Sequence, residues 1–218
     1  SGSHVAGRDF GLAFCPERVI EGAVLKELGS IPHIVSGIDA ESSRRALDLF
    51  GRVTGKLVEV SSLETAEAIK LIDNVYRDSR FAFANTVAEL CEEVGLDSWE
   101  VIRSANHEYP RNSIPVPSPG VGGSCIPKDS RFLIHSVRGT GLELPVVVAS
   151  RHVNERAPKR LAARIGALQS LDGTAVFVAG FAFKGVPATR DVRDSPTRDF
   201  VAELASLGAD VFGYDPLV

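Results

Sequence analysis

Two short runs rich in β-branched residues, His33-Ile34-Val35-Ser36-Gly37-Ile38-Asp39 and Lys56-Leu57-Val58-Glu59-Val60, flank a stretch from Glu41 to about Phe50 with helical character. They predict a small β-α-β unit. A strand-like Gly11-Leu12-Ala13-Phe14 precedes it. A Ser61-x-x-Glu64 capping box then opens a long helix, with Ile69, Ile72, Tyr76, Phe83 and Val87 at helical spacing and Gly95 as the residue that ends it. A second short helix is expected around Ser98 to Ser104. Residues 106–130 hold Pro110, Pro115, Pro117, Pro119 and Pro127 with Gly120, Gly122 and Gly123, which reads as an ordered loop or a linker. From Leu142 to Leu168 the pattern is helical again. Thr174 to Gly180, Ser195 to Leu207 and Asp210 to Tyr214 then read as strand, helix and strand, a second α/β unit.

The fold class is therefore α/β, divided into a tag or linker over 1–10, an α/β remnant over 11–60, a helical region over 61–168 and the start of another α/β domain over 169–218. Within the first of these, Ser1-Gly2-Ser3-His4 has the look of an expression-vector scar. One β-α-β unit buries only one face of its sheet, so the last domain is expected to continue beyond Val218. No G-x-G-x-x-G dinucleotide fingerprint occurs in the chain.

Composition narrows the function classes. The 218 residues are 44% hydrophobic, enough for a core, and the formal charge of -4 with no basic run argues against a nucleic-acid partner. The longest apolar runs, Pro145 to Ser150 and Thr174 to Ala182, fall far short of the roughly 20 residues a membrane-spanning helix needs. Cys15, Cys91 and Cys125 are odd in number and widely spaced, which fits free thiols in a reducing cytoplasm, and no metal-binding cluster is read.

Three constellations carry possible chemistry. In Gly120-Val121-Gly122-Gly123-Ser124-Cys125-Ile126-Pro127-Lys128-Asp129, the glycines permit close backbone approach to a ligand, and Pro127 suits the first turn of a following helix. Cys125 then sits at a helix N-terminus, where the dipole and Lys128 favour a nucleophilic thiolate. A structural cysteine on a glycine turn fits the same residues. Lys70 and Asn74, at i and i+4, project from one helix face and can meet one ligand, or form a solvated face. Lys184, Arg190, Arg193 and Arg198 gather before the Ser195-Pro196 helix start, where a diphosphate fits and where a solvated loop fits equally. A thiol hydrolase is a further reading of Gly-Ser-Cys, and it needs His107 or His135 as base.

Four segments in order, Cys15-Pro16-Glu17-Arg18-Val19, Glu64-x-x-Glu67-x-x-Lys70-Leu71-x-x-Asn74, Gly122 to Asp129 and Gly180-Phe181-Ala182-Phe183-Lys184, resemble the UDP-glucose/GDP-mannose dehydrogenase family across nearly the whole chain. The resemblance implies an N-terminal Rossmann domain for NAD, a helical central domain that forms a homodimer, and a Rossmann-like C-terminal domain holding the nucleotide diphosphate. It leads us to expect a chain without the NAD-binding core and without activity of its own. It implies that Cys125 captures an aldehyde as a thiohemiacetal that is oxidised to a thioester and hydrolysed. Lys70 matches the lysine stabilising the oxyanion, with Asn74 beside it; Asp129 matches the carboxylate that supports proton transfer, and Glu17 the glutamate near the hydrolytic water. Arg111 resembles an arginine reaching the partner subunit's sugar. Gly122, Gly123, Lys128 and Lys184 are implied on the substrate side, and Arg193 on the NAD side. Pro-Glu-Arg-Val resembles the branch acting on UDP-N-acetylhexosamines and Gly-Gly-Ser-Cys-Ile-Pro-Lys-Asp the UDP-glucose and GDP-mannose branches, so a UDP-N-acetylhexosamine is expected first and UDP-glucose second. The alternative is a dimerisation and nucleotide-sugar-binding module.

Overall fold

A computed structural model describes residues 4–218. Of the scar-like Ser1-Gly2-Ser3-His4, the first three residues lie outside the described residues. The chain divides into two compact units, one up to Asp73 and one from Asn74 onward.

In the first unit, β1 (Ala13–Phe14), β2 (His33–Gly37) and β3 (Leu57–Glu59) form a sheet in that order, with β1–β2 antiparallel and β2–β3 parallel. The central strand β2 is buried through Ile34, Val35 and Ser36, as a strand paired on both sides should be. Helix α1 (Val24–Leu28) is an element the hydrophobic pattern did not predict; five residues are too few to display a period. Helix α2 (Ala40–Phe50) follows β2 directly, and its N-cap Asp39 accepts a hydrogen bond from Ser42 N. Such a cap contributes about 1 kcal/mol. Gly37 is required at the β2–α2 turn because a Cβ there would lie 2.2 Å from Ser43 N.

Helix α3 (Leu63–Glu93) is the long helix that the periodicity predicted. Its cap is Ser62 rather than Ser61: Ser62 Oγ accepts from Thr65 N at 3.1 Å. The expected Ser61–Glu64 box is displaced by one residue, since the adjacent serine offers the same hydroxyl at better phase. The far end is as expected, with Gly95 left-handed at φ +72° and Leu96 N donating back to Cys91 O. The apolar stripe that revealed the helix is not its buried face. Ile72, Tyr76 and Phe83 are exposed, while Ala66, Asn74, Val75, Asp78, Ala82, Ala84, Asn85 and Cys91 are buried. Small and polar side chains face inward because neighbouring backbone comes close and brings hydrogen-bond partners.

The second unit continues with α4 (Ser98–Asn106), a loop, α5 (Ile126–Ser136), α6 (Pro145–Leu168), β4 (Ala175–Ala179), α7 (Pro196–Ser206) and β5 (Asp210–Tyr214). Strands β4 and β5 pair in parallel across the α7 crossover. Ala162 of α6, Leu171, Val178, Leu204 and Ala209 form the core beneath them, and Phe177, Phe212 and Tyr214 are exposed. Arg156, Arg160 and Arg164 of α6 ion-pair with Glu89 and Glu92 of α3. Among the described residues, no helix is long and apolar enough to cross a membrane, and no group of His, Cys, Asp and Glu could hold a metal ion.

Candidate active site

The glycine-rich loop packs closely against α6, the start of α7 and the segment before it. Gly120 has φ +126°, and a Cβ there would meet Pro196 Cβ at 2.9 Å and Asn154 O at 3.1 Å. That carbonyl lies four residues before Pro158, which sits inside α6 and has no N–H to donate to it. A Cβ on Gly122 would lie 1.9 Å from Asp194 O, and one on Gly123 2.6 Å from the Phe183 ring. Gly123 N donates to Asp194 O at 3.2 Å. The close approaches expected of Gly122 and Gly123 are thus made to the chain's own backbone and to Phe183.

The loop delivers Cys125 to the N-cap of α5, with Pro127 in the first turn and Asp129 N bonded to Cys125 O at 2.9 Å. The thiol is exposed and stands 3.7 Å from Ser124 Oγ. Its hydrogen-bond contact is with that hydroxyl and not with His107 or His135, the bases a thiol hydrolase would need. Cys15 and Cys91 are also free, and partial burial pushes the Cys15 thiol pKa up.

Behind the cysteine, Asp129 is buried and held from two sides. Asn74 Nδ2 donates to its Oδ2 at 2.5 Å, and Lys128 Nζ approaches its Oδ1 at 2.5 Å. Arg77 donates to Asn74 Oδ1, which fixes the amide so that its nitrogen faces the carboxylate. Cys125, Lys128, Asp129 and Asn74 are therefore one cluster in the second unit. In the first unit, Lys70 donates to Glu17 O and lies 3.6 Å from Glu17 Oε2, so these two expected site residues are also neighbours.

Arg193 forms a bidentate pair with Asp191, whose pKa it holds below the usual carboxylate value, first through its side chain and then through its backbone N–H. It shares a cavity of about 760 Å³ with Ser124, Lys128, Arg131, Phe132 and Arg138. Lys184 lies over the Phe183 ring at 5.4 Å. Arg111 is apart from this group, stacked on Tyr109 at 4.3 Å and bonded to its hydroxyl, in a cavity lined by Tyr76, Arg80 and Phe83 of α3.

One buried polar network has no counterpart among the residues the sequence pointed to. Asp78 Oδ1 accepts from Arg151 Nη1 at 3.2 Å and from Asn154 Nδ2 at 2.7 Å, and its Oδ2 accepts from Ser130 Oγ at 2.9 Å. Asn154 Oδ1 in turn accepts from Asn85, whose own Oδ1 takes Ser118 N. Burial raises the Asp78 pKa, against the opposing pull of Arg151. The partners lie 52 to 76 residues away, and the available signal was that Asp78 follows Asn74 by one helical turn.

Residues 64–156 match the UDP-glucose/GDP-mannose dehydrogenase family, central domain. Among curated proteins, the chain is 36% identical over 205 residues to a UDP-N-acetyl-D-mannosamine dehydrogenase of Methanocaldococcus jannaschii, covering 94% of this chain and 46% of that protein. A Campylobacter jejuni protein of the same name is 34% identical over 92% of this chain and 48% of its own length. A solved UDP-D-ManNAc dehydrogenase from Pyrococcus horikoshii superimposes with a TM-score of 0.87 at 33% identity, over 98% of this chain and 51% of that one. The chain thus spans about half the length of the relatives it matches.

Proposed function

Because the chain belongs to the UDP-glucose/GDP-mannose dehydrogenase family, we propose that it carries the central catalytic part of an NAD-dependent nucleotide-sugar 6-dehydrogenase that oxidises the C6 hydroxyl of a UDP-N-acetylhexosamine to a carboxylate. In that enzyme, residues 11–60 end an N-terminal α/β domain, 61–168 form the central domain and 169–218 begin the nucleotide-sugar domain. The observation that carries the reading is Cys125 on a helix N-cap, beside a buried Asp129 already held by Asn74 and Lys128.

When bound, NAD supplies the hydride acceptor for both oxidations. Arg193, with Arg131 and Arg138 around one cavity, forms a donor set that fits the phosphates of a dinucleotide. The remaining chemistry falls to this chain. Cys125 Sγ adds to the carbonyl carbon of the aldehyde, forming the C–S bond of a thiohemiacetal and keeping the aldehyde from water. Loss of the hydroxyl proton and of a hydride, which NAD would accept, from that thiohemiacetal leaves a thioester. Water adds to the thioester, the C–S bond breaks, and the thiolate and the uronic acid are released. Lys70 donates to the oxyanion at the stage where charge develops on oxygen, with Asn74 positioning the water and Asp129 supporting transfer of its proton. Glu17 stays close to that water through its contact with Lys70. Lys128, Lys184, Gly122 and Gly123 hold the substrate, and Arg111 reaches the sugar of the partner subunit in a homodimer built on α3. The exposed Tyr76 and Phe83 support that dimer, and the unpaired thiols a cytoplasmic setting. UDP-N-acetylmannosamine is the first substrate to test, since the relatives at 36% and 34% identity carry that activity in their names, and UDP-glucose the second.

The test is NADH formation by the intact protein at saturating NAD, with each UDP-sugar supplied separately. Two NADH per sugar consumed is expected with UDP-N-acetylmannosamine. Binding of a UDP-sugar without turnover would overturn the reading in favour of a binding module.

A further inference from the structure

Asp78 ties together three of the helices around the cysteine cluster in the second unit, α3, α5 and α6. Through its own helix it stands one turn from Asn74 on α3. Through Ser130 Oγ it grips the first turns of α5, next to Asp129 and five residues from Cys125. Through Arg151 and Asn154 it grips α6. Arg151 then extends past the carboxylate: its Nη2 donates to Val121 O at 3.3 Å, inside the glycine-rich loop. The same loop is reached by a second branch, in which Asn154 binds Asn85, Asn85 binds Ser118 N, and Ser118 Oγ donates to Gly120 O at 2.8 Å.

Asp78 is fully buried and Arg151 nearly so; the Arg151 Nε makes no hydrogen bond and stands 3.6 Å from Glu155 Oε1. A buried ion pair is a poor way to stabilise a fold, since apolar residues of similar volume commonly do as well or better. Its distinctive property is direction. Two charged groups with fixed donors define one arrangement of α3, α5, α6 and the loop, where an apolar contact would accept several.

We propose that the Asp78–Arg151 pair is a positioning device that sets the pose of the 120–125 loop and hence of the Cys125 thiol, and that it contributes to the rate of the chemical steps rather than to stability. The inference rests on the reading of Cys125 as the nucleophile for its effect on turnover, but not for its effect on the loop.

The experiment replaces the pair in the intact protein by Asp78→Leu with Arg151→Met, beside the single variant Arg151→Lys. Lysine retains the charge opposite Asp78 but replaces the rigid guanidinium fork, whose Nη1 and Nη2 hold the carboxylate and Val121 O, by a single nitrogen on a flexible stem, so the fixed two-point hold is lost. Three quantities are measured: Tm, amide hydrogen exchange in the 120–125 segment, and kcat and KM for the UDP-sugar. The double variant is expected to keep its Tm within a few degrees, lose amide protection in the loop, and fall about a hundredfold in kcat with KM little changed. Arg151→Lys should lose loop protection in the same way if the double variant fails to fold. Wild-type loop protection in a folded variant overturns the proposal, as does a kcat that falls only in step with Tm. If the wild-type protein has no dehydrogenase turnover but its variants lose loop protection, the assigned reaction fails and the positioning role stands.

Discussion

Cys125 is exposed, bonded to little, and carried by a loop whose glycines have no room for a side chain. That combination fits a thiol placed for chemistry. Cys125→Ser should abolish acid formation, measured by chromatography of the reaction products, and Lys70→Ala should slow it by about a hundredfold or more through loss of an oxyanion donor. Gly122→Ala places a methyl 1.9 Å from Asp194 O, so the loop must shift; a stability loss of about 1–3 kcal/mol in urea unfolding is expected, with reduced turnover. Arg151→Met leaves the Asp78 carboxyl buried without its counter-charge, and its folded pKa then rises further above the unfolded value. A carboxyl with a raised folded pKa contributes stability that is present below the unfolded pKa and lost as pH rises through the folded one. The Tm deficit of Arg151→Met relative to wild type should therefore widen as pH rises above the ordinary carboxylate range, and a constant deficit would contradict this. Cys125, Lys128 and Asp129 were legible because one contiguous segment carries them all. Asp78 and Arg151 were not, since their meaning comes from a contact 73 residues long that no local pattern encodes.

Helix α3 was found by its apolar period, yet of the residues that set it Ile72, Tyr76 and Phe83 are exposed and Ile69 and Val87 only half-buried. Tyr76, Phe83 and Leu90 repeat every seven residues along one exposed side, the spacing of a helix seam meeting another helix. Tyr76→Asp with Phe83→Asp should convert the proposed dimer to monomer in light scattering, with circular dichroism unchanged. The inward side was hard to read because its residues are small or polar, and sequence reasoning takes such residues for a solvated face. The helix start was misplaced by one residue for a simpler reason: Ser61 and Ser62 are chemically equal, and only the three-dimensional turn distinguishes them. The strand–helix–strand order from Ala175 to Tyr214 was legible in full, because turn residues and β-branched runs mark every boundary there.

At the scale of the chain, each of the two units carries its own small sheet, and the loop from 107 to 125 lies wholly within the second. A UDP-sugar that binds the folded protein alone should stabilise the whole by about 2.7 kcal/mol at a hundred times its Kd, visible as a Tm shift that grows with concentration. A sugar that gives turnover without such a shift would place its binding in another part of the enzyme. The four-residue spacing from Asn74 to Asp78 has a consequence for how this chain can change in length. One residue inserted between them rotates everything downstream by about 100°, so Asp78 would turn from Ser130 while Asn74 kept its place. Additions in the irregular stretch before Gly120 meet no such phase requirement. A scan of single-residue insertions should therefore find a zone of intolerance from 74 to 85, because Asn85 on the same helix must also keep its bonds to Asn154 and Ser118 N.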